Sequence, residues 1–136
     1  MMRMNRLGDY RYIGHFLRVM IKSTAKRPSL TIQCVRHQEV PCLHLFFARG
    51  ALHAMCLFKC SEGREREVRE VFAGAGVTLV QDEVTGDARD QSRFLLYRLP
   101  LKEPDATQLV ASFFQRGYHL LENTELDFTY RERKAT

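Results

Sequence analysis

The most apolar part of the chain runs from residue 40 to residue 58, and the polar residues inside it limit what it can form. His44, Arg49 and His53 would each have to enter the hydrocarbon region if this stretch crossed a membrane, at a cost of several kcal/mol. Two strands joined by a tight turn at Arg49-Gly50 bury the apolar side chains without that cost. We therefore predict a β-hairpin here and no membrane span.

Patterns elsewhere in the chain predict an α+β domain. A helix is predicted at 10–27, because apolar residues recur there every three or four positions and Pro28 cannot continue a helix. The other predicted elements are strands at 30–37, 40–48, 51–60, 77–84, 93–99 and 126–131 and helices at about 62–75 and 104–117. We expect a ferredoxin-like βαββαβ core over about residues 51–131. The N-terminal amphipathic helix and a β-hairpin precede this core, and the sheet is mainly antiparallel.

The length of 136 residues suits a single domain with its own core. Its globular body is predicted at 30–131, followed by a frayed polar tail at 132–136. The four cysteines are too few for a disulfide scaffold and lie in apolar runs, so we expect free thiols in an intracellular, reducing compartment. That compartment is the cytoplasm or nucleus, with the mitochondrial matrix as the alternative because the N-terminal segment is basic and amphipathic.

Surplus positive charge is confined to residues 1–29, which hold seven Lys/Arg and one acid, a net charge of +6. The remaining residues hold 14 basic and 15 acidic side chains, a net charge of −1. At about 100° per residue, one side of the predicted helix collects these cationic residues: Arg11, His15, Arg18, Lys22 and Lys26. The simpler interpretation is a solvated helix face. The alternative is a surface that binds nucleic-acid phosphates or an acidic protein.

Motifs that carry chemistry are scarce. Neither GxGxxG nor GxxxxGK[ST] occurs, so we expect no loop that cradles a nucleotide. Cysteines and histidines lack the spacing of zinc ligands, and we expect no metal, no other cofactor and no small-molecule substrate. Cys60 is the one candidate nucleophile, because it follows Lys59 and precedes a predicted helix N-terminus, and both features make a thiol more reactive. Because nothing else resembles a catalytic arrangement, we predict that the protein is not an enzyme.

The two strands of the predicted hairpin carry apolar residues at both odd and even positions. Strands that are apolar on both faces are usually buried on both. If helices cover one face of the sheet, the other face is free to bind a protein partner or a second copy of the chain. The residues predicted to make this contact are Leu43, Leu45, Phe47, Met55 and Leu57. The predicted function is therefore a non-enzymatic protein-binding or assembly module, as a homodimer or as a subunit of a larger complex.

The alternative function is a nucleic-acid-associated protein that docks through the basic helix. Sheets that recognise RNA on a ferredoxin-like fold usually carry a K/R-G-F/Y-G/A-F-V pattern on their third strand. The corresponding segment, residues 93–98, has an arginine and two aromatics but no glycine. The standard RNA-binding motif is absent, so this alternative depends on the basic helix.

Overall fold

The computed structural model describes residues 2–24, 26–37 and 40–133 and shows an antiparallel sheet with helices packed against one face. The strands are β1 (Met2–Gly8), β2 (Lys26–Cys34), β3 (Leu43–Ala48), β4 (Ala51–Lys59), β5 (Thr78–Thr85), β6 (Ser92–Leu99) and β7 (Leu126–Arg133). The helices are α1 (Arg11–Lys22), α2 (Glu65–Gly74) and α3 (Glu103–Ser112), and α3 continues into a π-helical segment, Phe113–Gly117. The sheet order is β1-β7-β2-β3-β4-β6-β5. The predicted α+β class with a mainly antiparallel sheet is confirmed.

The core lies between the helices and one face of the sheet. A row of paired residues that crosses four strands faces the helices, and all four are at most 4% exposed: Leu30, Leu45, Ala54 and Tyr97. Aromatic rings join the two layers. Phe16 of α1 stacks on Phe128 of β7 with ring centroids 5.2 Å apart, and Phe72 of α2 stacks on Tyr97 of β6 at 4.0 Å. Such pairs stabilise the fold beyond the area that they bury.

Helix α3 packs beside α1, and the two approach each other closely at Gly14. A Cβ atom at this position would lie 2.7 Å from the Glu103 Oε1 atom. The absence of a side chain therefore leaves room for the Glu103 carboxylate, which pairs with Arg18 of α1 at 3.2 Å. The two helices together cover the core from the solvent.

The predicted ferredoxin-like order is not confirmed. In that arrangement the last strand pairs with the first strand of the βαββαβ unit, which here would join β7 to β4. Instead, β3 pairs with β4 across the tight turn at Arg49-Gly50, and β7 pairs with β2 and β1. The β2–β3 hairpin occupies the edge of β4 that β7 would need, so β2 and β3 lie between β4 and the last strand.

The N-terminal elements also differ from the prediction. The structure begins with a strand, β1, rather than with the helix, and α1 ends at Lys22 instead of residue 27. Ser23 has an extended backbone, and Pro28 lies in β2 where the register with β7 shifts between Lys26 and Ser29. A proline cannot donate to a strand ladder and is tolerated at such irregularities. Lys26 therefore belongs to β2 and not to the basic helix.

The polar tail begins later than predicted. Residues 132 and 133 belong to β7, and the Glu132 carboxylate accepts hydrogen bonds from the hydroxyls of Tyr130 and Ser23 at 2.6 and 2.8 Å. The rest of the predicted tail, residues 134–136, lies outside the described residues.

A network of ion pairs attaches α2 to the β5–β6 end of the sheet. The Asp82 carboxylate of β5 pairs with Arg69 of α2 and with Arg93 of β6, the latter at 2.8 Å. Glu65 of α2 completes the network by pairing with both arginines, at 2.7 Å to Arg93 and 3.3 Å to Arg69. Hydrogen bonds from Arg69 and then Arg93 lower the pKa of Asp82. A network of this kind stabilises a fold more than an isolated surface pair does.

We predict that Asp82→Asn lowers the free energy of unfolding at pH 7 by up to about 1 kcal/mol. The lowered pKa of Asp82 means that its stabilisation is present above the usual value of 3.8 and is lost as the pH falls through the folded-state pKa. Urea denaturation at pH 7 and at pH 3 should show a smaller difference between variant and parent at the lower pH. Glu83→Gln on the same strand is the control, since the Glu83 carboxylate has no ion pair among the described residues. Equal effects of the two substitutions would contradict the prediction.

Candidate functional site

The face of the sheet opposite the helices, called the open face here, has no element of the described chain packed over it. Antiparallel pairing arranges its side chains in rows across the strands. One row contains Asn5, Thr129, Thr31, His44, Met55, Leu96 and Gln81. A second row contains Arg3, Arg131, Ser29, Phe46, His53 and Arg98. A third row brings Leu57 beside Phe94 and Phe94 beside Glu83.

Apolar side chains are concentrated on the central strands of the open face, β3, β4 and β6. We call them the apolar patch: Phe46, Met55, Leu57, Phe94 and Leu96. Leu57 is 50% exposed, and the other four are partly exposed. A contiguous apolar surface of this kind, bordered by polar residues, is typical of a binding site.

His53 lies within the apolar patch. Among the described residues it is the one of polar or charged type that is buried, with 8% of its surface exposed. Its ring stacks on that of Phe46, with centroids 5.4 Å apart and planes 17° apart. The Nδ1 atom of His53 is buried and has no hydrogen-bond partner within the described chain. A buried polar atom without a partner costs free energy, so the centre of the open face is not optimised for the isolated chain.

The strands on the other side of the open face, β1, β7 and β2, present a hydrogen-bonded polar surface. The Asn5 amide donates to Asp127 at 2.8 Å and to Thr129 at 2.9 Å. Across the next strands, the Thr31 hydroxyl and the His44 Nδ1 atom lie 3.0 Å apart. Burial lowers the pKa of His44, so this imidazole is neutral at pH 7. These side chains of the polar half therefore form hydrogen bonds with one another, in contrast to the His53 Nδ1 atom.

The predicted set of contact residues mixed the two faces of the sheet, and part of it is wrong. Leu43 and Leu45 are fully buried in the core under the helices, and Phe47 packs on that same face. Met55 and Leu57 lie on the open face as expected. The physical reason is the two-residue turn, which pairs Ala48 with Ala51 and so places even-numbered residues of β3 beside odd-numbered residues of β4.

Sequence reasoning therefore missed Phe46, Phe94 and Leu96. The turn register at residues 49 and 50 was a signal that could have found Phe46, because it determines which residues of β3 lie beside Met55. No equivalent local signal identifies Phe94 and Leu96, since β6 pairs with β4 over a long separation in sequence.

The basic residues of α1 do lie together on its exposed side, apart from Lys26. Arg11 and Arg18 are already engaged in ion pairs, with Asp9 at 2.8 Å and with Glu103 at 3.2 Å. His15 and Lys22 are the remaining exposed members of the predicted set. The net positive charge that this helix offers to an anionic partner is smaller than the sequence suggests.

One of the two features that made Cys60 a candidate nucleophile, a position just before a helix N-terminus, is not found in the structure. Cys60 is exposed, but it begins a short 3-10 turn, and α2 starts only at Glu65. The thiol therefore does not lie at the N-terminus of an α-helix. In the core, by contrast, burial raises the pKa of Cys56 to about 12, which keeps that thiol protonated at neutral pH.

Titratable groups also surround a cavity of about 490 Å³ between the start of α2 and the end of the π-helical segment. Its lining includes His37, Glu62, Arg64, Tyr118 and His119. The Arg64 guanidinium lies over the Tyr118 ring, 5.9 Å from its centroid. With one carboxylate and one guanidinium, the lining has no preference for either sign of ligand charge. Among the described residues, no three His, Cys, Asp or Glu side chains are grouped so as to hold a metal ion.

Comparison with known proteins does not assign the chain to a family. No protein-family model matches it, and a search of curated proteins also finds no match. In the part of the chain that the structure describes, no helix is both long enough and apolar enough to cross a membrane.

We predict that Leu57→Ser leaves the stability of the protein within about 0.5 kcal/mol of the parent, because Leu57 is half exposed on the open face. Leu45→Ala should lower the free energy of unfolding by about 2–5 kcal/mol, since Leu45 is fully buried under the helices. Chemical denaturation of both variants measures the difference. Similar losses for the two variants would contradict the prediction, and a larger loss for the Leu57 variant would show that the strands face the other way.

Proposed function

We propose that the protein is a non-enzymatic protein-binding or assembly module that associates through the apolar patch of its open face. The observation that supports this most is the location of the patch: helices cover one face of the sheet, while Phe46, Met55, Leu57, Phe94 and Leu96 lie on the other. Burial of apolar surface is the main favourable term in protein association, so an uncovered patch favours a partner.

The arrangement of the open face is similar to the usual anatomy of a protein interface. Such interfaces have an apolar centre, often aromatic, and a polar margin that stays partly in water. Here, two phenylalanines and three aliphatic side chains form the centre, and charged residues such as Arg98 and Glu83 lie beside them. The seven strands span about 30 Å at about 4.8 Å between neighbours. The strands β5, β6 and β7 each have eight residues, a length of roughly 26 Å at about 3.3 Å per residue, so the whole face covers roughly 800 Å². Each partner contributes roughly that area to a standard interface.

The nucleic-acid alternative has weaker support. Two of the basic residues on α1 are held by acids of the same chain, and aliphatic side chains separate Phe46 from Phe94 on the open face. Surfaces that bind single strands need accessible aromatic rings on which bases can stack. The Phe46 ring is instead already stacked on His53.

We predict that a photo-crosslinking amino acid at position 57, introduced in cells, will form a discrete protein adduct. The same group at position 121 should not, although Leu121 is more exposed, at 73% compared with 50% for Leu57. Denaturing electrophoresis and mass spectrometry identify the adduct, and light scattering of the purified protein at low and high salt distinguishes a homodimer from a complex with another protein.

An apolar interface should persist at high salt, whereas contacts to phosphates weaken steeply. Two results would contradict the proposal. One is that position 57 forms no adduct beyond those also formed at position 121. The other is that nuclease treatment removes the adduct.

A further inference from the structure

Charged residues are distributed unevenly over the open face. One margin carries Arg3 and Arg131 on β1 and β7 and Arg98 on β6. Two carboxylates of the open face, those of Asp127 and Glu83, lie toward the opposite margin. Between the two ends of the basic margin lie Ser29, Phe46 and His53. From β1 to β6, this margin therefore has cationic ends, and Phe46 is the apolar residue of its middle.

The arginines of this margin lack acidic partners among the described residues. Arg3 and Arg131 are directly opposite each other on neighbouring strands, and like charges in this position destabilise a sheet. Neither these two nor Arg98 forms an ion pair with another described residue. By contrast, the Asp127 carboxylate accepts a hydrogen bond from Asn5 on the same face. The Glu83 carboxylate also has no ion pair among the described residues. The unpaired positive charge of the open face thus lies along the basic margin, and the unpaired negative charge lies toward the opposite one.

We propose that the open face binds a protein segment that is acidic at both ends and apolar in its middle. This inference rests on the proposed protein-binding function and specifies the partner. The apolar middle of the segment covers Phe46 and the neighbouring patch residues, and its carboxylates pair with Arg3 and Arg131 at one end and with Arg98 at the other.

The spacing of these groups sets the length of the segment. Five strand-to-strand steps separate β1 from β6 in the sheet order, which corresponds to about 24 Å. An extended chain covers that distance with about seven residues. A short extended segment of seven or eight residues is therefore sufficient to reach from one cationic end to the other.

Charge argues against the two other occupants of this face. A second copy of the chain also carries a net charge of +5, so two copies repel each other at long range. A nucleic acid would match the arginines but not the aliphatic side chains of Met55, Leu57 and Leu96, which offer no stacking surface.

Fluorescence anisotropy with labelled peptides tests this inference on the full chain. The first probe is an eight-residue peptide with two glutamates at each end and four leucines between them. The matched probes replace the glutamates by lysines or the leucines by serines, and an oligothymidylate of 12 nucleotides represents nucleic acid. We expect the acidic-apolar peptide to bind more tightly than each of the other three.

Variants locate the binding to the basic margin. The double variant Arg3→Gln/Arg131→Gln and the single variant Arg98→Gln should each weaken the peptide complex by roughly two- to tenfold, as expected for exposed charge pairs. Arg89→Gln, in the β5–β6 loop, is the control and should change nothing. The double variant removes a like-charge pair, so its melting temperature should be unchanged or higher, which separates weaker binding from unfolding.

Three results would overturn the inference: tighter binding of the lysine peptide or of the oligothymidylate, equal binding by the double variant and the parent, or a stable homodimer that excludes the peptide. A protein adduct at position 57 together with any of them would refute the acidic segment and leave the protein-binding function standing. Absence of both the adduct and peptide binding would refute the two together.

Discussion

The register of the two central strands is set by the two-residue turn between β3 and β4. Arg49 and Gly50 both have positive φ, at 54° and 75°, as a tight hairpin turn requires. This turn sets the register in which Leu45 lies opposite Ala54 and Phe46 opposite His53. A shift of one residue would move the core side chains into water and the patch side chains under the helices. The same turn keeps β3 on the edge of β4 and thereby excludes the ferredoxin-like strand order.

Much of the fold could be predicted from the sequence, because its elements carry local patterns. The turn at residues 49 and 50, the amphipathic α1 and the final strand all follow from periodicity and from glycine or proline positions. The β1 strand was not predicted in this way, because Arg6 interrupts the alternation that begins at Met2 and the strand is short and exposed. Arg6 is accommodated by a tertiary contact, with its guanidinium 4.8 Å from the centroid of the Tyr12 ring.

The candidate site was less accessible to sequence reasoning than the fold. That the central strands are apolar on both faces is evident from composition, and this led to the idea of an uncovered sheet face. Which side chains share that face depends on pairing between strands. The neighbours Leu57 and Phe94 are far apart in sequence, as are Arg3 and Arg131, and only the sheet topology brings them together. Charge shows the same limit, because the excess in residues 1–29 is divided among three elements, β1, α1 and β2.

The proposed docking of a protein partner rests on three features of the sheet: a face covered by helices, an uncovered apolar patch, and a basic margin without ion pairs. Hydroxyl-radical footprinting with mass spectrometry, on the purified protein and in cells, tests this docking most directly. We expect Phe46, Met55 and Leu57 to be oxidised in the purified protein and protected in cells, whereas Leu121 is oxidised in both. Equal oxidation of the patch residues in the two settings would contradict it.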